Sequence, residues 1–179
     1  MSRVRITGGQ WRSRLLNVVD AQGLRPTPDR VRETLFNWVG QDLSGWRCLD
    51  LFAGSGALGF EAASRGAGSV VMVESNSRVF SQLRQNVAAL DAAQVELIRG
   101  DALKFAATLS QGFDLVMLDP PYHKGWIERL ASQVGAWVVP DGWLYVEAER
   151  PLASMGEFVT VKAGRAGQVC YQLMERRQA

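Results

Sequence analysis

The chain is poor in the residues that build metal centres and disulfide frameworks. It holds two cysteines and one histidine in 179 residues. Cys48 and Cys170 lie inside apolar, strand-like runs with no metal-ligand spacing around them. Both read as buried thiols in a reducing compartment, and no metal site is expected. No apolar run approaches the roughly 18 residues of a membrane span. The N-terminus alternates arginine with valine and isoleucine, which is no signal peptide. A cytoplasmic protein with no membrane partner is the expectation. Repeats, low-complexity tracts and linkers are also missing. With 47% hydrophobic residues, the chain reads as one globular domain with a sizeable core, monomeric by default.

Lysine is scarce as well: Lys104, Lys124 and Lys162 are the only lysines among 20 basic residues. The arginines are unevenly spread. Residues 1–32 hold seven of them against Asp20 and Asp29, while the whole chain has a net charge of only +2. Guanidinium forks suit phosphates and stack on bases, so this segment points to nucleic acid. Arg3, Arg5, Arg12, Arg14, Arg25 and Arg30 are the candidate nucleic-acid-binding residues; the bland alternative is a solvated basic face. Val4-Arg5-Ile6 and Leu15-Leu16-Asn17-Val18 flank Gly8-Gly9, which predicts a β-hairpin. Residues 1–24 thus form an arginine-rich arm ahead of a larger unit, 25–179.

What the chain does have is a glycine turn between a strand and a helix. Leu49 to Ala53 reads as a short buried strand, Gly54 to Gly59 is G-x-G-x-x-G, and Ala57 to Arg65 reads as the following helix. Such a turn brings backbone N–H groups close to a ligand. Alone it suits NAD, FAD or S-adenosylmethionine. The acids around it discriminate. Asp50, Glu74, Asp101 and Asp119 each lie at or just past the end of a strand-like run. In a parallel sheet the carboxyl ends of strands line one crevice. An acidic crevice repels a pyrophosphate and suits a ligand bearing an ammonium, a sulfonium and ribose hydroxyls. S-adenosylmethionine is therefore favoured, with no metal. Asp50, Phe52, Gly54, Gly56, Leu58, Glu74, Ser75, Asp101 and Ala102 are the candidate cofactor residues. Asp50 and the glycines fall to the methionine part, Glu74 to the ribose and Asp101 to the adenine amine. Any one of these acids could instead cap a helix.

The rest of the chain alternates strand and helix. Thr27 is placed to cap a helix with Pro28 in its first position, running to about residue 40. Ser75 or Ser77 is placed to cap a helix over 77–90, strands are expected at 95–99 and 113–118, and a helix near 125–136. A strand over 142–147 precedes two more with no helix between them, which requires an antiparallel ending. The expected fold is α/β: a doubly wound, Rossmann-like, mostly parallel seven-stranded sheet with an antiparallel C-terminal hairpin and an N-terminal β-hairpin extension.

A second motif, Asp119-Pro120-Pro121-Tyr122, ends one of those strands. Two prolines stiffen the loop and remove two donors, leaving carbonyls free to accept. Asp119 and the Pro120 carbonyl could take the two hydrogens of an exocyclic amine, and Tyr122 offers a face on which a base can stack. Asp119, Pro120, Pro121 and Tyr122 are the candidate catalytic residues. His123 is given no catalytic role.

Asp50-x-Phe52-x-Gly54-x-Gly56 followed by this motif resembles the class I S-adenosylmethionine-dependent methyltransferases that act on exocyclic amines. Ile6-x-Gly8-Gly9-x-Trp11-Arg12, the run from Leu24-Arg25-Pro26-Thr27 to Trp38, and Ala166-Gly167-Gln168-Val169 extend the likeness over nearly the whole chain. Together they resemble the RsmD family of bacterial 16S rRNA guanine-N2 methyltransferases. The resemblance implies N2 methylation of one guanine in 16S rRNA, on a protein-bound small-subunit assembly intermediate. Residues and charge alone leave adenine-N6 methylation, a non-catalytic RNA-binding assembly factor and, last, a dinucleotide-dependent oxidoreductase open.

Overall fold

The computed structural model describes residues 2–178. A two-stranded antiparallel hairpin, β1 (Ser2–Arg5) and β2 (Leu15–Val18), leads to α1 (Asp29–Val39). Strands and helices then alternate: β3 (Arg47–Asp50), α2 (Ala57–Ser64), β4 (Ser69–Glu74), α3 (Ser77–Leu90), β5 (Val95–Arg99), α4 (Ala102–Ala106) and β6 (Phe113–Leu118). After α5 (Trp126–Leu130) come β7 (Val138–Ala148), a two-residue edge strand β8 (Ser154–Met155), β9 (Phe158–Ala166) and β10 (Val169–Arg176). The main sheet runs β5-β4-β3-β6-β7-β10-β9-β8, eight strands where seven were expected, because Ser154 and Met155 add a two-residue edge against Val159 and Phe158 that is too short to read as a strand. Its first five strands are parallel, and β10, β9 and β8 pair antiparallel, giving the expected ending.

The sheet is covered on both faces, which is why its central strands are continuous apolar runs. In β6, Phe113 and Leu115 to Leu118 are all buried. One apolar layer gathers Leu35 and Phe36 of α1, Phe60 of α2, Leu83 of α3 and the hairpin residues Val4, Ile6, Trp11, Leu16 and Val18. The other packs Leu49, Leu51, Val116, Leu118, Leu130, Trp137 and Leu144. The chain moves outward from β3 to β4 and β5, then returns to place β6 and β7 on the other side of β3. That reversal is a topological switch point, where ligands bind in open α/β sheets.

The hairpin is fastened to α2. The Glu61 carboxylate, wholly buried, accepts from the Thr7 N–H (3.0 Å), the Thr7 hydroxyl (2.9 Å), the Gly8 N–H (3.1 Å) and Arg32 Nη1 (2.6 Å). Arg32 also pairs with Asp29. So one arginine of the basic N-terminal segment is consumed inside the core, and a buried ion pair of this kind is costly to break on one side only. Gly9 has a φ of +79°, and a Cβ there would stand 1.9 Å from the Ser64 carbonyl oxygen. Only glycine allows that approach.

Three local expectations change. Pro28, not Thr27, is the N-cap of α1, with no side-chain cap bond; the Thr27 hydroxyl donates instead to Glu147, 120 residues away in sequence. Asn76 caps α3, accepting from the Arg78 and Val79 N–H groups, and displaces both serines from that role. The helix near 125–136 stops at Leu130 and resumes only as a 3-10 turn, Val134–Ala136.

Candidate active site

At the end of β3, Asp50 is 1% exposed. Its Oδ2 accepts from the Gly59 N–H at 3.0 Å, which ties it to the first turns of α2. Its Oδ1 is the one fully enclosed side-chain polar atom without a hydrogen-bond partner among the described residues. Native structures pair such atoms, so Oδ1 awaits a donor from outside the chain. The glycine turn beside it has left-handed backbone at Gly54 (φ +53°) and Gly56 (φ +83°). A Cβ on Gly56 would meet Phe60 at 2.6 Å and Leu83 at 2.8 Å. Glu74, at the end of β4, clasps the turn: one oxygen accepts from the Gly54 N–H at 2.9 Å and the other from the Asn76 N–H at 2.9 Å. Each oxygen keeps a second lone pair for a hydroxyl.

The other predicted cofactor residues spread around these three. Leu58 and Ala102 are buried, whereas Ser75 and Asp101 are exposed. Asp101 caps α4, accepting from the Lys104 N–H at 3.0 Å through Oδ1. Phe52 is half-buried and meets Trp126 edge to face, with ring centroids 5.1 Å apart. Trp126 in turn lies under the Arg129 guanidinium at 4.1 Å. This contact joins the glycine turn to the segment following Asp119-Pro120-Pro121-Tyr122.

The second motif leaves β6 immediately beside β3. Pairing of Asp50 with Met117 and of Met117 with Tyr145 sets three strands in register. Side chains alternate faces along a strand, so Asp50, Asp119 and Glu147 share one face. Asp119 and Glu147 stand level at the ends of β6 and β7, with Asp50 two residues lower on β3, so the three form a slanting row across the carboxyl ends. Asp119 and Tyr122 are half-buried, Pro120 is buried and Pro121 is exposed. His123 is exposed, 3.9 Å from Glu149. Glu147 belongs to the site although no sequence motif marked it. Its only signal was that it stands near the end of a strand, like the four acids already chosen. It is 3% exposed, and its Oε2 accepts from the Thr27 hydroxyl and the Tyr145 hydroxyl, both at 2.9 Å.

The row is electrostatically strained toward its neutral forms. Burial raises Asp50 to about 7, with the Gly59 N–H opposing and Glu147 and Glu74 adding to the rise. Asp119 stands well above the usual carboxylate range through burial, then the charges of Glu147 and Asp50. Glu147 is raised by burial against its two hydrogen bonds. Tyr122 is pushed up to about 12 by burial and then by Asp119. A site that holds Asp50 and Glu147 out of water, with Asp119 half-buried beside them, stabilises a cation and a donor-rich edge. Asp50 with its unpaired oxygen fits the ammonium of S-adenosylmethionine, and Glu74 fits ribose hydroxyls.

All six candidate RNA-binding arginines, Arg3, Arg5, Arg12, Arg14, Arg25 and Arg30, are exposed. Arg5 reaches the Ser13 carbonyl (3.4 Å) and Arg14 the Ala89 carbonyl (3.1 Å). Among the described residues none of the six forms an ion pair with a carboxylate. Among the same residues, no group of three or more His, Cys, Asp or Glu side chains could hold a metal ion. No helix among them is long and apolar enough to cross a membrane.

The same architecture occurs in a solved RNA methyltransferase from Salinibacter ruber in complex with S-adenosyl-L-homocysteine. The TM-score is 0.69 at 16% identity, over 87% of this chain and 95% of that one. That architecture is the Rossmann-like fold of the class I methyltransferases. A family model described as conserved hypothetical protein 95 matches residues 4–175. Ribosomal RNA small subunit methyltransferase D of Escherichia coli K12 is 40% identical over 179 residues, covering 97% of this chain and 90% of its own. The solved structure of a candidate methyltransferase from Escherichia coli, yhhF, has a TM-score of 0.88 and 39% identity, over 98% of this chain and 99% of that one. This chain belongs to the RsmD family.

Proposed function

We propose that this protein is an S-adenosylmethionine-dependent rRNA methyltransferase that modifies the exocyclic N2 amine of one guanine in 16S rRNA. The observation that carries the reading is the adjacency of two motifs at the switch point. The Asp50–Gly54 turn ends β3, and Asp119-Pro120-Pro121-Tyr122 ends the neighbouring β6. Relatives across almost the full chain are small-subunit rRNA methyltransferases by name, which supports an rRNA substrate. The exposed arginines of the hairpin and of the segment before α1, none of them held by a carboxylate among the described residues, supply phosphate contacts. The fitting substrate is a protein-bound assembly intermediate of the small subunit, met by a monomer.

When bound, S-adenosylmethionine would supply an electrophilic methyl group on a sulfonium, whose carbon–sulfur bond breaks as the methyl is taken, with the electron pair staying on sulfur in the leaving S-adenosyl-L-homocysteine. The chain supplies position and charge. Asp50 holds the ammonium through its unpaired Oδ1, Glu74 holds the ribose hydroxyls, and Leu58, Ala102 and Asp101 flank the adenine. The target guanine must leave its stack to reach a methyl donor held in this crevice. Tyr122 takes the face of the ring. The Asp119 carboxylate and the Pro120 carbonyl each accept one hydrogen of the amine. An aryl amine is a poor nucleophile because its lone pair delocalises into the ring. Fixing both hydrogens favours a pyramidal nitrogen and aims its lone pair at the methyl carbon. Positive charge then develops on nitrogen, where Asp119 stabilises it more in the transition state than in the ground state. The methylated amine releases its proton to Asp119 or to water.

The test is transfer of a labelled methyl from S-adenosylmethionine to small-subunit rRNA carrying its bound proteins, followed by nucleoside analysis. Label in N2-methylguanosine is the expected result. Label in N6-methyladenosine, or none, rejects the reading.

A further inference from the structure

Glu147 is not needed to hold an amine that Asp119 and Pro120 already hold, yet it is built into the same site. It stands beside Asp119 in the row, because Leu118 pairs with Val146 in the parallel β6–β7 ladder. On its other side Tyr171 of β10 lies directly across from it, and Tyr171 packs on Trp38 of α1 at 5.6 Å. Strand and helix therefore fix its position. Both donors that reach it, Thr27 Oγ1 and Tyr145 OH, land on Oε2. That leaves Oε1 without a donor among the described residues, on a side chain only 3% exposed. The two buried arginines of this layer cannot serve, since Arg32 and Arg65 are both engaged by Glu61. Asp50 Oδ1 alone among the described residues is both enclosed and unpaired, so Glu147 Oε1 keeps access to solvent and is open to a donor that enters the crevice.

We propose that Glu147 accepts the N1–H of the target guanine through Oε1, beside the N2 amine held by Asp119 and the Pro120 carbonyl, and so selects guanine over other amine-bearing bases. This rests on the guanine-N2 reading above. An exocyclic amine alone has two hydrogens, and two acceptors suffice. Guanine presents three on one edge, two on N2 and one on the adjoining N1. Asp119, the Pro120 carbonyl and Glu147 Oε1 make three acceptors, one more than an amine alone can use. Adenine places a lone pair at N1 next to its amine, which would face the Glu147 oxygen lone pair to lone pair. A site built to receive a hydrogen rejects an analogue that lacks it far more strongly than a shape-matched apolar pocket could. Thr27 makes the arrangement directional: its hydroxyl comes from the segment ahead of α1 and holds Oε2 back, leaving Oε1 to the base.

The test uses small-subunit rRNA in which the target guanine is replaced by 2-aminopurine. That base keeps the exocyclic amine at C2 but has a lone pair at N1. In single-turnover assays at saturating S-adenosylmethionine, the wild-type protein should methylate 2-aminopurine at least about 10²-fold more slowly than guanine. Because 2-aminopurine also lacks O6, the variant Glu147→Gln isolates the N1 contact. Thr27 and Tyr145 would hold the amide oxygen, turning its NH₂ toward N1. The guanine rate should fall by about 10² or more, while the 2-aminopurine rate is retained or rises, so the preference collapses. Thermal unfolding and S-adenosylmethionine binding of Glu147→Gln report that it is folded. Wild-type rates on the two substrates within about three-fold of each other would overturn the inference without any variant, as would an unchanged preference in folded Glu147→Gln. Either result leaves guanine-N2 methylation standing. A wild-type protein that labels no guanine amine overturns both readings together.

Discussion

Replacing Asp50 by asparagine changes a charge and almost nothing of the shape, and the structure sets both the sign and the size of the response. The carboxyl is buried, one hydrogen bond from Gly59 stabilises its anion, and burial raises it to about 7 from a reference of 3.8. An acid whose folded value is raised binds its proton more tightly in the native state than in the unfolded chain. Its favourable contribution is therefore complete below about pH 4 and is lost as the pH rises through about 7. At about 1.36 kcal/mol per pH unit, that span gives a loss of the order of 4 kcal/mol, an upper bound because water and side-chain relaxation reduce it. The asparagine side chain of the variant does not titrate. Its NH₂ adds a pH-independent cost of about 1–3 kcal/mol if it lacks an acceptor. The assay is urea unfolding of both proteins from pH 4.5 to 8.5. The stability difference, variant minus wild type, should grow by several kcal/mol across that range; Asp119 and Glu147 titrate in both proteins and largely cancel. Binding carries the opposite sign. An ammonium favours ionised Asp50, so S-adenosylmethionine should bind the wild type more tightly as pH rises through 7 and release a proton below it. Calorimetry in buffers of different ionisation heat measures that proton. Parallel stability profiles with no proton release would refute the assignment of Asp50 to a buried, cation-facing acid.

Glu74→Ala should weaken S-adenosylmethionine binding by about 1.5–3 kcal/mol, the range for hydrogen bonds to a charged group. Unchanged calorimetric affinity in a folded variant would remove Glu74 from the cofactor site. Neutralising Arg3, Arg5, Arg12 and Arg14 together should weaken rRNA binding and flatten its dependence on log salt by about 3 units if each meets a phosphate. Cofactor affinity should not change, and a salt slope equal to the wild type's would place the docking surface elsewhere. Deleting residues 1–14 is not an equivalent experiment. It removes Ile6 and Trp11 from the core and leaves Glu61 without its Thr7 and Gly8 donors.

The alternation of strand and helix was readable because it rests on local signals. Apolar runs such as Val70 to Val73, glycines where φ must be positive, and carboxylates at strand ends each speak for themselves. Glu147 was not readable, since its role depends on which strands are neighbours. Its partner Thr27 lies 120 residues away and was assigned to a helix cap, the local use of a threonine before a proline. Arg32 shows the same limit: a charge count cannot separate a guanidinium buried on Glu61 from one free to meet a phosphate. Asn76 outcompeted Ser75 and Ser77 as a cap through its position relative to the first helical turn, a matter of one residue that composition does not settle.

Asp119 is the residue on which methyl transfer depends most directly. Single-turnover methyl transfer, at saturating S-adenosylmethionine and rRNA, compares the wild type with Asp119→Ala while calorimetry follows cofactor binding. A rate about 10²–10³ lower with S-adenosylmethionine affinity retained is the expected result, the effect of losing one preorganised electrostatic partner. A rate within about three-fold of the wild type would contradict it.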